Sequence, residues 1–277
     1  MLSYAQNFED VMIARLFDCD YRGFYIDIGA AHPEYLSVTR HFYDQGWSGI
    51  NVEPSMYFYP LLRQDRPRDI NLQCAIGNYP GVATFYEIPM FAENSTLEAD
   101  VAKRLVTTGL ISEPHKVEVL RLADLCDIHA KGRTIDFMKI DVEGGERGVL
   151  ESGDWKRYRP RLLIVEATVA NTREENWQDW EPILIDFDYH KVWFDGLNNF
   201  YLRVEDLELR PAFRLPPNIY DRFDIADFHR LKRLLSDHDA PLSQIKALFS
   251  HRSVRWFNRL VHWPELKELA EWSKIRL

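Results

Sequence analysis

Gly23-Phe24-Tyr25-Ile26-Asp27-Ile28-Gly29-Ala30-Ala31-His32 decides how this chain is read. Phe24 to Ile28 is a short β-branched and aromatic run that stops at a glycine and two alanines. A buried strand of a parallel sheet runs out into a tight turn in this way. Asp27 sits on the last residues of that strand, where open α/β sheets place their ligands. The small residues at 29–31 let a ligand approach the backbone, and a helix is expected from about Leu36. A second acid, Glu53, closes the next apolar run, Gly49-Ile50-Asn51-Val52-Glu53-Pro54, 26 residues beyond Asp27. A strand, a crossover and a strand ending in an acid about 20 residues on is spacing that holds ribose hydroxyls.

The pattern continues outward from this pair. Ser3 and Gln6 have capping-box spacing ahead of a helical pattern at Phe8, Met12, Ile13, Leu16 and Phe17. A third strand is expected over Ile70–Gly77, with Ala75 and Gly77 at its small end. Gly81–Ile88 and Val117–Leu122 alternate as strands do. A fourth principal strand, Ile135–Gly144, ends at Asp141, and Leu162–Thr168 ends at Glu166. An amphipathic helix over Trp177–Phe187 and a hairpin, Lys191–Asp195 with Phe200–Val204, complete the series. These elements predict a doubly wound α/β sheet with an antiparallel edge hairpin.

Beyond Val204 the pattern changes. Pro211, Pro216 and Pro217 mark a linker, and only helical periodicity follows, as at Ile245/Leu248/Phe249 and Phe257/Leu260/Val261. The expected organisation is a body over 1–204 and a helical appendage over 205–277. Charge divides at a similar place. His229–Leu277 carries ten Lys/Arg and five Asp/Glu, net +5, and the remainder is net −14. An acidic body argues against a general nucleic-acid binder.

At 277 residues and 46% hydrophobic the chain has ample core. No apolar run approaches the ~18–20 residues of a spanning helix. The first residues lack a basic n-region and an apolar h-region. Three scattered cysteines suggest reduced thiols rather than a disulfide frame. A cytoplasmic protein is therefore expected. The chain lacks Gly-x-Gly-x-x-Gly after the first strand, a P-loop and a nucleophile elbow, against dehydrogenase, phosphoryl-transfer and hydrolase readings.

Asp27, Glu53, Asp141 and Glu166 all end strands of one sheet. Each alone is an ordinary cap or solvated charge. Together they converge on one cleft and need cations or donors against their repulsion. A sulfonium, an α-amino group, ribose hydroxyls or a divalent metal would all serve.

With these residues in view, the sequence resembles the FkbM family of S-adenosylmethionine-dependent methyltransferases. The matching segments are Tyr4–Asp10, Tyr25–Pro33, Asn51–Pro54, Asp136–Gly144 and Phe194–Tyr201, in order over residues 1 to about 204. The resemblance implies a class I methyltransferase (Rossmann-like) sheet, S-adenosylmethionine as donor and O-methylation, with sugar hydroxyls of glycans or glycosylated metabolites as frequent acceptors. It implies that Asp27, Gly29 and Ala30 form the methionine-side turn. Glu53 holds the ribose, Ala75 and Ile76 flank the adenine, and Asp141 lies near the sulfonium. Gln6 and Pro54, from the matching segments, join that cofactor set. Ala31 and His32 depart from the glycine-richer turn of many class I enzymes.

An acceptor hydroxyl needs a general base, and the candidates are His32, Asp141, Glu143 and Glu166. Asp141 and Glu166, with Asn171 close behind, are alternatively Mg²⁺ ligands that acidify the bound hydroxyl. The rival to an enzyme is a methyltransferase-fold scaffold that docks a glycosyltransferase or a membrane partner through its basic tail. Trp256, Phe257, Trp263 and Trp272 are expected to pack on the body or to form that docking surface or a homo-oligomer contact. Basic residues beside aromatics also suit peripheral contact with an anionic inner membrane face.

Overall fold

Phe24–Ile28 (β2) is an interior strand of a seven-stranded sheet, and all five of its residues are buried. The computed structural model describes residues 1–236 apart from Met90 and Asn171. Before β2 come β1 (Leu2–Ser3) and α1 (Glu9–Ala14). After it follow α2 (Arg40–Asp44), β3 (Ser48–Val52), α3 (Phe58–Asp65), β4 (Ile70–Leu72), β5 (Ala75–Ile76) and β6 (Gly81–Glu87). The chain continues through α4 (Ala99–Thr107), β7 (Glu113–Leu120), α5 (Leu122–His129), β8 (Phe137–Ile140), α6 (Glu146–Glu151) and β9 (Leu162–Glu166). It closes with α7 (Glu181–Ile185), β10 (Tyr189–Phe194), β11 (Asn198–Arg203), β12 (Asp224–Ile225) and α8 (Ala226–Ser236).

The main sheet has the order β4-β3-β2-β8-β9-β11-β10. Pairings from β4 to β9 are parallel, and β11 joins β9 antiparallel as part of the hairpin with β10. The fold is mixed α/β, as expected. Side-chain alternation divides each strand between two cores. Phe24, Ile26 and Ile28 join one cluster with Ile50, Val52, Met138, Ile140, Leu163 and Val165. Tyr25 joins the other with Phe137, Leu162, Ile164, Phe200 and Leu202.

Local differences from the sequence expectations have identifiable causes. The run 70–77 is two strands. Ile70–Leu72 pairs with β3, but Ala75–Ile76 leaves the main sheet to pair with β7 beside β6. There Ala75 packs with Phe85, Val117 and Val119. The capping box does not form. Ser3 lies on β1 and donates to Asp10 Oδ1 (2.7 Å), and Asp10 also accepts from the Tyr4 amide at 2.7 Å. Asp10, in the first turn of α1, thus ties down the segment that precedes the helix, and Ser3 acts as a donor rather than as a cap. The second helix starts at Arg40 rather than Leu36, whose φ of 57° is left-handed. The stretch 177–187 divides into a 3₁₀ turn, Trp177–Asp179, and α7, with Pro182 in the first turn where its missing N–H costs nothing.

The segment after 204 begins by packing on the body. Phe213 enters the core with Phe200, and Arg15 pairs with Asp221 at 2.7 Å. β12 pairs with β1. The tail expectations on Ile245 to Trp272, and that on Asn171, lie outside the described residues. Among the described residues, no helix is long and apolar enough to cross a membrane.

Candidate active site

The same alternation that divides the cores gathers the charged residues. Tyr25 and Asp27 share a face, as do Phe137 and Lys139, and Leu162 and Ile164 carry Glu166 on theirs. Asp27 pairs in register with Asn51 on one side and Lys139 on the other. A buried polar row therefore crosses the sheet just before its C-terminal edge. Thr39 donates to Asp27 Oδ2 at 2.9 Å. The Lys139 ammonium lies 3.6 Å from Asp27 Oδ1 and 3.2 Å from Asp141 Oδ2, and donates to the Gly29 carbonyl at 3.0 Å. Burial alone would lower the lysine pKa, but Asp141 and Asp27 hold it above the usual lysine range. Burial pushes the Asp27 carboxyl up, and Lys139 and Thr39 oppose that push.

Above this row opens a cleft of ≈ 1460 Å³. One wall is the turn after β2. Gly29 and Ala30 donate their amides to the Val52 carbonyl at 3.0 and 3.1 Å. Glu53, just past β3, accepts from the Ala31 amide at 2.6 Å and from the Ser55 amide at 2.8 Å. Burial raises the Glu53 carboxyl to about 7 against those amides. Pro54, Ala75 and Ile76 line the cleft beside it.

The β8 and β9 side of the cleft carries the remaining acids. Asp141, Glu143 and Glu166 each place one carboxylate oxygen within 4.8 Å of the others. Glu143 follows β8 with a left-handed φ of 56°. That conformation costs a non-glycine residue about 1–2 kcal/mol. Thr96 holds it in place by donating to the Glu143 carbonyl at 2.9 Å. Glu146, at the start of α6, accepts from the Val142 and Gly144 amides and secures the loop. Burial, then the neighbouring carboxylates, push Glu143 and Glu166 well above the usual range. Glu143 Oε2, Glu166 Oε2 and Thr168 Oγ1 are buried without hydrogen-bond partners.

Gln6 and Asn7 close the cleft beside Gly196 and Leu197. The Asn7 side chain donates to Asp195, and Asn198 donates to both Glu9 and Asp195. The Tyr4–Asp10 and Phe194–Tyr201 segments, some 190 residues apart in sequence, thus meet at this rim.

Of the residues singled out from sequence, the structure brings Gln6, Gly29, Ala30, Glu53, Pro54, Ala75, Ile76, Asp141, Glu143 and Glu166 to the cleft lining. Asp27 and His32 are not among the lining residues. Asp27 lies beneath the cleft floor. His32 Nδ1 accepts from the Glu34 and Tyr35 amides, both at 3.0 Å, and its ring packs on Tyr35. Burial lowers its pKa to about 4. A histidine so engaged organises its loop. His32→Ala is expected to cost about 1 kcal/mol of stability. A urea melt reads that cost. Sequence reading missed Lys139, Thr39 and Thr168 as parts of the site. A signal existed for Lys139: a lone lysine inside the apolar run Phe137–Ile140 requires a buried partner.

A family model, the methyltransferase FkbM domain, matches residues 27–195. A solved methyltransferase FkbM from Methylobacillus flagellatus KT is 16% identical with a TM-score of 0.41. That match covers 66% of this chain and 44% of that one, so this chain spans less than half of its length. No curated protein matches the chain. With more than half of the sequence matched from Asp27 to Asp195, the chain belongs to the FkbM methyltransferase family.

Proposed function

We propose that this chain is an S-adenosylmethionine-dependent O-methyltransferase that acts on a hydroxyl of a sugar or a similar small acceptor, on a class I methyltransferase sheet. The observation that carries the reading is the pairing of Glu53, beside a close-approach turn, with a carboxylate wall across one cleft. The chain's own residues suit the cofactor. Glu53 retains lone pairs for ribose hydroxyls. Ala75 and Ile76 offer small apolar walls to a base, and Asp141 presents negative charge to a cationic group. The cofactor, when bound, supplies a methyl group on a sulfonium.

The acceptor side follows from the same chemistry. A cleft of ≈ 1460 Å³ exceeds the ~300–1,000 Å³ of ordinary ligand sites and leaves room for a second molecule. Positioning supplies much of the acceleration of an in-line displacement. Glu166, whose Oε2 is buried in the cleft lining without a hydrogen-bond partner, is placed to accept a hydroxyl proton. Work inside the cell, at the inner face of a membrane, fits such an acceptor and belongs to the same proposal.

The first experiment is calorimetric titration with S-adenosylhomocysteine, followed by methyl transfer from labelled S-adenosylmethionine to a panel of sugars. Micromolar binding and label transfer are the expected results. Absence of binding would return the chain to the scaffold reading. Affinity should also depend on pH through Glu53. Its carboxylate is the form that accepts from two ribose hydroxyls, and its pKa is about 7. Affinity should therefore rise as pH rises through about 7 and fall by up to about tenfold per unit below it. Glu53→Gln should flatten that dependence.

A further inference from the structure

Resting on that reading, we propose that Asp141, Glu143 and Glu166 form a binding site for one hard divalent cation of the magnesium or manganese class, which holds the acceptor hydroxyl. The three residues come from separate positions, two along the loop after β8 and one at the end of β9. One oxygen from each lies within 4.8 Å of the others. Oxygen ligands sit about 2.0–2.1 Å from magnesium, so ligands of one ion span up to about 4 Å, a spacing this set reaches with a small inward turn of its carboxylates. The set is all oxygen, the donor type that magnesium and manganese select.

A second observation points to a ligand rather than to an ordinary acidic surface. Glu166 is only 4% exposed, yet its Oε2 has no hydrogen-bond partner. Thr168, two residues on and therefore on the same side of the chain, is 2% exposed and lines the cleft with an unpartnered hydroxyl. Buried polar atoms are normally satisfied, and orphans concentrated in one wall mark a place where a bound group completes the structure. Lys139 does not fill that role. It reaches Asp141 through Oδ2 and Asp27 through Oδ1, and no contact joins it to Glu143 or Glu166. The ammonium thus pairs with the two aspartates and leaves Glu143 and Glu166 without a cation, which a bound dication would supply. A single hydrogen-bond donor would satisfy one orphan oxygen, whereas an ion satisfies the three ligands at once. Its open positions would take water or the acceptor hydroxyl and lower that hydroxyl's pKa.

The test uses the full chain and Mn²⁺ as the probe. Wild type, Glu166→Gln and Glu143→Gln are titrated with MnCl₂ and followed by the electron paramagnetic resonance of free Mn²⁺. S-adenosylhomocysteine binding is measured separately in EDTA. The expected result is one Mn²⁺ per wild-type chain, displaced by excess Mg²⁺, and lost in both variants at concentrations that saturate wild type. Thermal melts confirm that the variants fold, and Glu143→Gln carries the test should the more buried Glu166→Gln fail to fold. No Mn²⁺ uptake by wild type, or undiminished uptake by a folded variant, overturns the proposal. Uptake without S-adenosylhomocysteine binding supports the cation site and removes the methyltransferase reading. The reverse pattern removes only the cation.

Discussion

Lys139→Met is expected to destabilise the protein by about 3–5 kcal/mol, the cost of leaving one member of a buried ion pair without its partner. The side chain of Asp27 is 1% exposed and that of Lys139 11% exposed, so the carboxylate would be left buried without its counter-charge. The same change removes the donor to the Gly29 carbonyl and the counter-charge of Asp141. Methionine keeps most of the aliphatic volume, so the loss reports charge rather than a cavity. The companion variant is Asp27→Asn. If the cost is that of a stranded carboxylate, Lys139→Met with Asp27→Asn should lose less than the sum of the two single changes. Residues in direct contact couple by roughly 0.5–3 kcal/mol. Urea denaturation of the four proteins measures the cycle. Strict additivity would show that Lys139 acts through Asp141 or Gly29 alone. The pair explains why Asp27, a plausible ligand residue on sequence grounds, lies beneath the cleft. Its charge holds the lysine that braces both the turn after β2 and the end of β8.

What could be read from the sequence follows from which interactions are local. Phe24–Ile28, Ser48–Val52, Phe137–Ile140 and Leu162–Glu166 are short, largely apolar runs, visible in the residues, as strands buried on both faces of a parallel sheet should be. Each strand's termination in a small or acidic residue locates the sheet edge. The mixed α/β class therefore follows from the residues alone, and so does the gathering of Glu53, Asp141 and Glu166. Other features depend on distant partners. Ala75–Ile76 carries no mark that it pairs with Val119 and Leu120 instead of continuing beside β3. The rim of Asn7, Glu9, Asp195 and Asn198 forms because two segments at opposite ends of the fold exchange hydrogen bonds. His32 is a polar residue in a ligand-side turn, and a local pattern cannot show that its Nδ1 is occupied by the amides of Glu34 and Tyr35. The Ser3 hydroxyl likewise satisfies cap spacing, while in the fold it lies on β1 and donates to Asp10 of α1.

Gly29→Ala should cost several kcal/mol more than Gly132→Ala, although both glycines adopt nearly the same backbone. Their φ values are 77° and 74°. In each, alanine pays about 1–2 kcal/mol to enter the left-handed region. The surroundings then separate them. A Cβ on Gly132 meets nothing within 4 Å, whereas a Cβ on Gly29 would lie 1.8 Å from the Asp141 carbonyl oxygen. That oxygen belongs to backbone directly after β8, whose Asp141 amide donates to the Ile28 carbonyl at 3.0 Å. Relief of the clash requires β2 and β8 to separate at the sheet edge. Such separation strains the Lys139 contacts and displaces both walls of the cleft at once. A total loss on the order of 4 kcal/mol places Gly29→Ala among the severe single substitutions. The difference between the two variants in urea denaturation isolates the steric component, because the backbone cost is common to both. Gly29→Ala should also abolish S-adenosylhomocysteine binding under conditions where it remains folded, with Gly132→Ala binding as wild type does. Equal losses in the two variants would mean that the turn yields without moving Asp141. The close approach of Gly29 to that carbonyl would then be a consequence of the fold rather than what holds the two cleft walls together.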